Sequence, residues 1–467
     1  MHTQNYLRFI KVLLVSLSVA ACQSPDLSKL KENSINFLNV NKNPSDFKPP
    51  AQEKLISEGS PSLDELLTNS LADQNLGTNF SEVLKAAIDV DPSINAKRLD
   101  AAAKWASVGS VEARKDFQVS GTVYGGIEDV TDGTSGIAVA LNASRLLYDA
   151  GLLDAQISAK RSAAEAAELS LRAAIDERAF KLGEIWLELE KYEALQQQID
   201  GRLAVLDPLI DQLEQIAQAG VGDMSKVTAA QRTVSSIRVT QTNIQENLES
   251  AKLNFSNAFG AVPDQIAYDS VFVAGLIPKK VDDAMAQKSP LILSQFADYN
   301  AALARLAALN AKDKFNIGFE AKATTPFAGS EVESDESIGL VARKTLYSGG
   351  MIESDIKEAE ALVEVAEATV KATYREGVRS VGSALQNINS MDKAILLAKN
   401  NADLTKDEIV YLRQQLIIGG STLESVLSAE ARLYEAESQE INFLAEKRKS
   451  QLLVSSKLGL IGPALGY

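Results

Sequence analysis

The sequence is nearly empty of the side chains on which most enzymes rely. Its 467 residues include one cysteine, Cys22, and one histidine, His2. Both belong to an N-terminal leader or its end, so the body of the chain has neither. That excludes a cysteine nucleophile, an imidazole base and a Cys/His zinc site. Hydrolysis by carboxylates alone stays open, but no motif supports it. No enzyme activity, cofactor or metal is expected. Positive charge is also short: the formal net charge is −15, which argues against nucleic acid as a partner. No run of 18 apolar residues follows the leader, so no membrane-spanning helix is expected. Proline is scarce beyond the first sixty residues, where Pro25, Pro44, Pro49, Pro50 and Pro61 cluster.

What is present is said twice. Leu147-Tyr148-Asp149-Ala150-Gly151 returns as Leu346-Tyr347-Ser348-Gly349-Gly350, and Gly220, Val227, Ala230 and Gly260 return as Gly419, Val426, Ala429 and Gly459. Each pair is 199 positions apart. One offset held over more than a hundred residues makes the chain two copies of one unit.

Residues 1–21 read as a signal peptide, with Arg8 and Lys11 ahead of the short apolar run 12–19. The run ends Val19-Ala20-Ala21-Cys22, which resembles a bacterial lipobox with Cys22 as the lipid attachment site. An ordinary Ala-x-Ala-type cleavage site is the alternative; the position of the lone Cys favours the lipobox. Gln23, rather than Asp, leans towards outer membrane sorting. Residues 22–78 lack a lasting apolar period and read as a lipid-anchored, flexible tether.

Repeat 1 spans 79–262. It opens with a helix capped at Ser81, with Val83, Ala87 and Val90 on one face; Asp91-Pro92 breaks it, and a second helix runs from about 93 to 113. The period then changes from 3.6 to 2. Strands are expected at about 117–126 and 137–147, around a polar loop. Repeat 2 spans 281–467, with strands at about 315–324 and 338–346. An inter-repeat segment at 263–280, with Pro263 and Pro278, reads as irregular. Strands of about ten residues have the length of a tilted bilayer-crossing strand. A hairpin pair on a soluble domain is the alternative. Four strands cannot close a barrel, and an open edge is not tolerated in lipid, so spanning strands require several chains: eight strands from two, or twelve from three.

After Gly151 good helix formers dominate to about Ala219, a helix roughly 100 Å long. Pro208 is expected to kink it. The return helix carries a seam of 3 and 4 steps through Val227, Ala230, Val234, Ile237, Gln241, Ile244, Leu248, Ala251, Phe255 and Ala258. The second copy of that helix breaks the seam at Glu440 and Lys447, which predicts wetter packing. Charges on the long helices read as a solvated face.

Lipobox, two repeats, two strand pairs and two long hairpins together resemble the TolC-like outer membrane efflux protein family. The run Tyr411-Leu412-Arg413-Gln414-Gln415-Leu416-Ile417-Ile418-Gly419-Gly420-Ser421-Thr422-Leu423-Glu424-Ser425-Val426-Leu427 carries that family's hairpin-turn signature. The likeness covers about residues 80–460. It implies a mainly α fold with a small β part: a homotrimer whose twelve-stranded β-barrel continues into an α-helical barrel. It implies an exit duct in the outer membrane, passive and driven by an inner membrane transporter, in a tripartite efflux pump or a type I secretion system. The tips at 220–223 and 419–422 would meet a periplasmic adaptor through Gly220, Gly222, Asp223, Gly419, Gly420 and Ser421. Relatives often narrow the duct with Asp near the tip. Here the matching positions are Lys226, Ser425 and Ser428, with Glu424 nearby, so an acidic, cation-selective constriction is not expected. A periplasmic coiled-coil scaffold lipoprotein without a pore is the competing reading; it leaves the four strands unexplained.

Overall fold

The computed structural model describes residues 79–127, 135–220, 224–263, 266, 270–277, 281, 283–326, 334–418 and 420–467. All belong to the second of two compact units, Leu71–Tyr467. The leader, Cys22, the tether and the loop at 128–134 lie outside the described residues.

Asn79 starts the fold. Its side chain accepts from the Ser81 amide at 3.2 Å and caps α1 (Phe80–Asp89), two residues before the cap expected at Ser81. Phe80, Val83, Leu84 and Ile88 form the buried face. Val90, expected on that face, is exposed because the helix has already ended. Asp91 caps α2 (Pro92–Glu112), accepting from the Ser93 amide at 2.8 Å and the Ile94 amide at 3.2 Å. Pro92 holds the first helical position, where a missing N–H costs nothing. A single 3-10 turn, Ala113–Lys115, leads into the sheet.

The strands are β1 (Gln118–Ile127), β2 (Ser135–Tyr148), β3 (Asn316–Pro326) and β4 (Asp335–Arg343). They pair antiparallel in the order β1-β2-β3-β4. The last strand ends at Arg343, short of the expected 346. The register sorts side chains by period 2. Val119, Leu141, Ala143, Phe319, Ala321, Ile338 and Leu340 share one face: Val119 lies opposite Ala143, Ala143 opposite Ala321, and Ala321 opposite Ile338. The other face carries Ser120, Asn142, Lys322 and Ser337, again in register. Its charges are paired across β3 and β4. Arg343 grips both oxygens of Glu320, one contact being 3.0 Å, and Lys322 reaches Asp335 at 3.6 Å. Among the described residues, β1 and β4 each have one side without a strand partner.

Each strand pair turns into a long helix through two residues of left-handed backbone. These are Gly349 (φ +66°) and Gly350 (φ +85°) in repeat 2, and Ala150 (φ +55°) and Gly151 (φ +86°) in repeat 1. Asp149 supports the first turn, accepting from the Gly151 amide at 3.0 Å and the Leu153 amide at 2.6 Å. The remaining helices are α3 (Leu152–Gln218), α4 (Met224–Phe259), α5 (Ser270–Leu276), α6 (Asp283–Gln287), α7 (Pro290–Lys312), α8 (Met351–Ile417), α9 (Leu423–Lys457) and α10 (Ile461–Leu465). The inter-repeat segment, expected to be irregular, contains α5.

Helices α3 and α8 have 67 residues each, roughly 100 Å at 1.5 Å per residue. Helix α3 runs through Gly201 and Pro208 without a break in its assignment. It is the hub of the fold: α2 and α7 pack along its first half, α4 and α9 along its second. The α4 seam is buried as expected from Val227 to Phe255, except that Gln241 is half-exposed and Phe259 replaces Ala258 at the end. Helix α9 meets α7 end to end at Gly459 (φ +72°), where a Cβ would stand 2.2 Å from Pro290 Cδ.

Where α1, α4, α5 and α10 gather on the middle of α3, Trp186 is fully buried. Phe80, Phe255 and Phe259 surround it, at centroid distances of 5.3, 5.4 and 6.0 Å. Beside this cluster Asp176 is buried, and one of its oxygens accepts from the Ile461 and Gly462 amides at 2.8 and 3.0 Å. The other oxygen has no partner. Burial lifts its pKa from the usual 3.8 to about 6, against the pull of the two amides.

Two outcomes follow from these sites. Ala150→Gly removes the left-handed cost of an L residue, about 1–2 kcal/mol, against the added freedom of the unfolded chain, about 0.4–1 kcal/mol. A net gain of about 0.5–1 kcal/mol in a denaturation experiment is expected. For Asp176 the folded pKa is the higher one. Its relative stabilisation is therefore complete below about 3.8 and lost as pH rises through about 6. Thermal unfolding at pH 5 and pH 7.5 should show a fall for the native chain that Asp176→Asn does not share, worth about 1.4 kcal/mol for the one pH unit between 5 and the folded pKa.

Candidate functional site

The two hairpin ends lie together. Leu213 and Ala217 of α3, Val227 and Ala230 of α4, and Leu423 and Leu427 of α9 form one buried cluster. Gly220 closes the first hairpin at φ +75°, a conformation glycine adopts without steric cost. Gly222 and Asp223, and Gly419 in the second hairpin, lie outside the described residues. The amide of Gly420 donates to the Gln415 carbonyl at 2.8 Å. The Ser421 hydroxyl donates to the Leu412 carbonyl at 2.8 Å. Thr422 caps α9, accepting from the Ser425 amide at 3.3 Å, with the two hydroxyls 2.9 Å apart. Ile417 and Ile418 are 85% and 81% exposed, unusual for isoleucine at a helix end.

Of the positions singled out for a constriction, Lys226 and Ser428 are exposed, and Glu424 and Ser425 are half-buried. Ser425 is engaged in capping. Lys226 and Glu424 take part in no ion pair among the described residues. The tip cluster brings their helices together without joining these side chains.

Behind the tips, the structure departs from the expected solvated face. Helix α9 carries two seams. Val426, Ala429, Leu433 and Ala436 are buried on one, packing with Ala402 and Ile409 of α8. Leu423, Leu427, Glu430, Tyr434, Glu437 and Ile441 follow steps of 3 and 4 on the other, which faces α3. Two neighbours require two seams, and the second contains acids. Glu430 is buried between Arg202 of α3 and Arg413 of α8, the latter at 2.8 Å. Glu437 takes Arg202 at 2.9 Å and Lys406 of α8 at 3.1 Å. Burial opposes the ionisation of Glu437, but Lys406, Gln198 and Arg202 outweigh it and hold its pKa below the usual range.

The same α3–α9 boundary continues upward with Gln198 and Ser438 at 3.1 Å, Glu190 and Arg448 at 2.6 Å, and Glu184 and Lys449 at 2.7 Å. The first hairpin therefore closes on itself through an apolar seam, while the two hairpins join through a ladder of polar contacts. Lys447, one of the seam breaks, pairs with Asp392 of α8 at 2.6 Å, and Glu440 is half-buried. The 3 and 4 spacing of Leu427, Glu430, Tyr434, Glu437 and Ile441 was the signal for this ladder.

This architecture is shared with solved structures. The chain superposes on CusC, described in terms of transmembrane channel formation, with a TM-score of 0.69 and 17% identity, covering 83% of this chain and 95% of that one. It superposes on the outer membrane protein VceC of Vibrio cholerae with a TM-score of 0.68 and 18% identity, covering 81% and 96%. The fold is that of the TolC-like outer membrane channels. The MtrE outer membrane channel of Neisseria gonorrhoeae adds a TM-score of 0.69 at 12% identity, over 82% of this chain and 89% of MtrE. In sequence, the chain is 27% identical to outer membrane protein TolC of Salmonella enteritidis over 146 residues, 29% of this chain and 30% of that protein. It is 27% identical to TolC of Vibrio cholerae over 164 residues, 34% and 37%. The chain spans about a third of the length of the curated relatives it matches. No family model matches it.

Removing Glu430 tests the ladder at its most buried rung. Glu430→Ala leaves Arg202 half-buried without one acid, and loss of one partner from a buried pair costs about 3–5 kcal/mol. A clear drop in thermal midpoint is expected, whereas Lys371→Ala, in an exposed pair with Glu367, should change it by less than about 0.5 kcal/mol.

Proposed function

We propose that the chain is the outer membrane exit duct of a tripartite efflux or type I secretion system. Transport through it is passive and driven by an inner membrane transporter. The observation that carries this reading is the sheet: one face apolar across all four strands, the other polar with its charges paired, and both edges open. In lipid an open edge leaves backbone groups unsatisfied, at several kcal/mol each. Three copies joined edge to edge give a closed barrel of twelve strands with lipid outside and water within. Exposed apolar residues along α8, among them Leu362, Val365, Leu396, Leu397 and Leu404, supply the matching helical contact between copies. The likeness to outer membrane proteins such as TolC and VceC and to the MtrE outer membrane channel supports the same reading.

In this assembly Cys22 anchors the chain to the outer membrane after cleavage of residues 1–21, and 22–78 forms the tether. Repeat 1 (79–262), the 263–280 connection and repeat 2 (281–467) each contribute once per copy. The tips meet a periplasmic adaptor through Gly220, Gly222, Asp223, Gly419, Gly420 and Ser421, and Ile417 and Ile418 offer that partner apolar surface. Lys226, Glu424, Ser425 and Ser428 line the narrowed end without an acidic ring.

Purified protein should run as a trimer in detergent and conduct ions in planar bilayers, and Leu397→Glu with Leu404→Glu should shift it to monomer. Val123→Arg, on the apolar face, should reduce insertion by about 2–4 kcal/mol, while Thr122→Arg on the opposite face should leave insertion intact and alter conductance. A monomer soluble without detergent after removal of Cys22 returns the reading to a periplasmic scaffold.

A further inference from the structure

The apolar face of the sheet ends in cations at one end. Along it, from Val119 and Val123 through Val139, Leu141 and Ala143 to Phe319, Ala321, Ile338 and Leu340, the register places no charge. At the foot, next to the long helices, the face reaches Arg145, opposite Phe319, and then Lys344, one residue beyond the pair of Asn316 with Arg343. The opposite end carries Glu336 on the same face, opposite Ala323.

Each cation stands over a phenylalanine. The Arg145 guanidinium lies 5.3 Å from the Phe117 ring centre, and the Lys344 ammonium 5.4 Å from that of Phe315. These pairs are copies of one another across the repeat. Both rings are about half exposed, 54% and 55%. Tyr148 and Tyr347 are exposed just past the strands, beside Leu147 and Leu346. Arg145 also donates to the Lys115 carbonyl at 3.3 Å, but neither it nor Lys344 has an acidic partner among the described residues. Lys115, Lys312 and Arg343 close by are ion-paired, while Arg114, which donates to Gln156, and Lys314 also lack an acidic partner among the described residues but stand over no ring. In a chain of net charge −15, two unneutralised cations placed alike at the edge of an apolar face are a specific feature.

We infer that Arg145 with Phe117, and Lys344 with Phe315, are two related sites for the phosphate headgroup of an anionic phospholipid whose acyl chains lie on the apolar face. The occupant follows from the combination. The cation supplies a counter-charge, the ring beneath keeps it at the boundary between apolar and wet, and the adjoining face takes hydrocarbon. A soluble anion would use the charge alone. The assignment rests on the membrane reading above. It adds that the foot of the sheet selects lipid by charge, which spanning by itself does not require.

The test uses the full chain in detergent, titrated with phosphatidylglycerol or phosphatidylcholine and read by native mass spectrometry. Preferential retention of phosphatidylglycerol is expected, falling about fivefold for each of Arg145→Gln and Lys344→Gln, the factor for one basic side chain at an anionic surface. Arg145→Lys should restore most of it and controls for folding. Equal retention of the two lipids, or displacement of phosphatidylglycerol by inorganic phosphate at equal concentration, overturns the inference. Flotation of the full chain carrying Cys22→Ala, so that no acyl anchor contributes, with phosphatidylcholine vesicles in high salt separates the two claims. Protein that floats but does not discriminate lipids loses only the headgroup sites, whereas protein that does not float loses the membrane reading beneath them.

Discussion

A β-strand must pair on both sides or meet water, and the described residues supply four strands with two edges that have no strand partner among them. Everything else is consistent with that one demand. The apolar face denies water to the middle of the sheet. The paired charges Glu320–Arg343 and Lys322–Asp335 lie on the opposite face. The exposed leucines of α8 continue the unsatisfied surface down the helices, so sheet and helices call for the same neighbours. The proposed trimer is an arrangement that satisfies strand edges and helix faces together.

The helical part answers a different demand, to keep two hairpins distinct yet attached. Within the first hairpin, α3 and α4 share a mainly apolar seam of Val, Ile, Leu and Ala, interrupted where Gln241 donates to Asp200 at 2.6 Å and flanked by the exposed pair Arg238–Asp207. Between hairpins, α3 and α9 meet through Glu184, Glu190, Gln198 and Arg202 against Lys449, Arg448, Ser438, Glu437 and Glu430. An apolar seam resists sliding through packing along most of its length. A polar ladder is made of discrete contacts, each with an alternative partner in water except where burial removes it, as at Glu430. The boundary between hairpins is thus chemically unlike the boundary within one, and it ends beside the tips.

Much of this was legible beforehand because it is periodic. The offset of 199 gave the two copies, alternation gave the strands and their faces, and steps of 3 and 4 gave the α4 seam from Val227 to Phe255. What escaped was non-local. Glu430 and Glu437 sit at seam positions, but an acid in such a place looks solvated until Arg202, more than two hundred residues away, is brought against it. Helix α5 escaped because seven residues after a proline carry too little pattern. The fourth strand, Asp335–Arg343 rather than 338–346, lies three residues earlier because it begins within the polar loop and the chain has left the sheet by Lys344 for the turn at Gly349 and Gly350. Among the tip residues Gly220 takes the left-handed turn that its glycine suits, while the isoleucines at 417 and 418, the most exposed apolar side chains described at that end, were passed over.

The joint between α7 and α9 at Pro290 and Gly459 has a mechanical consequence. It interrupts one column of helix, yet both neighbours in contact with that column, α3 and α8, pass it unbroken, each about 100 Å long. They act as splints across a fracture. A bend at the joint has to bend two continuous helices as well, and a twist applied near Ile417 travels through an uninterrupted hydrogen-bonded helix to Met351, at the foot of the sheet. The break therefore gives the wall a place to change direction without giving it a hinge.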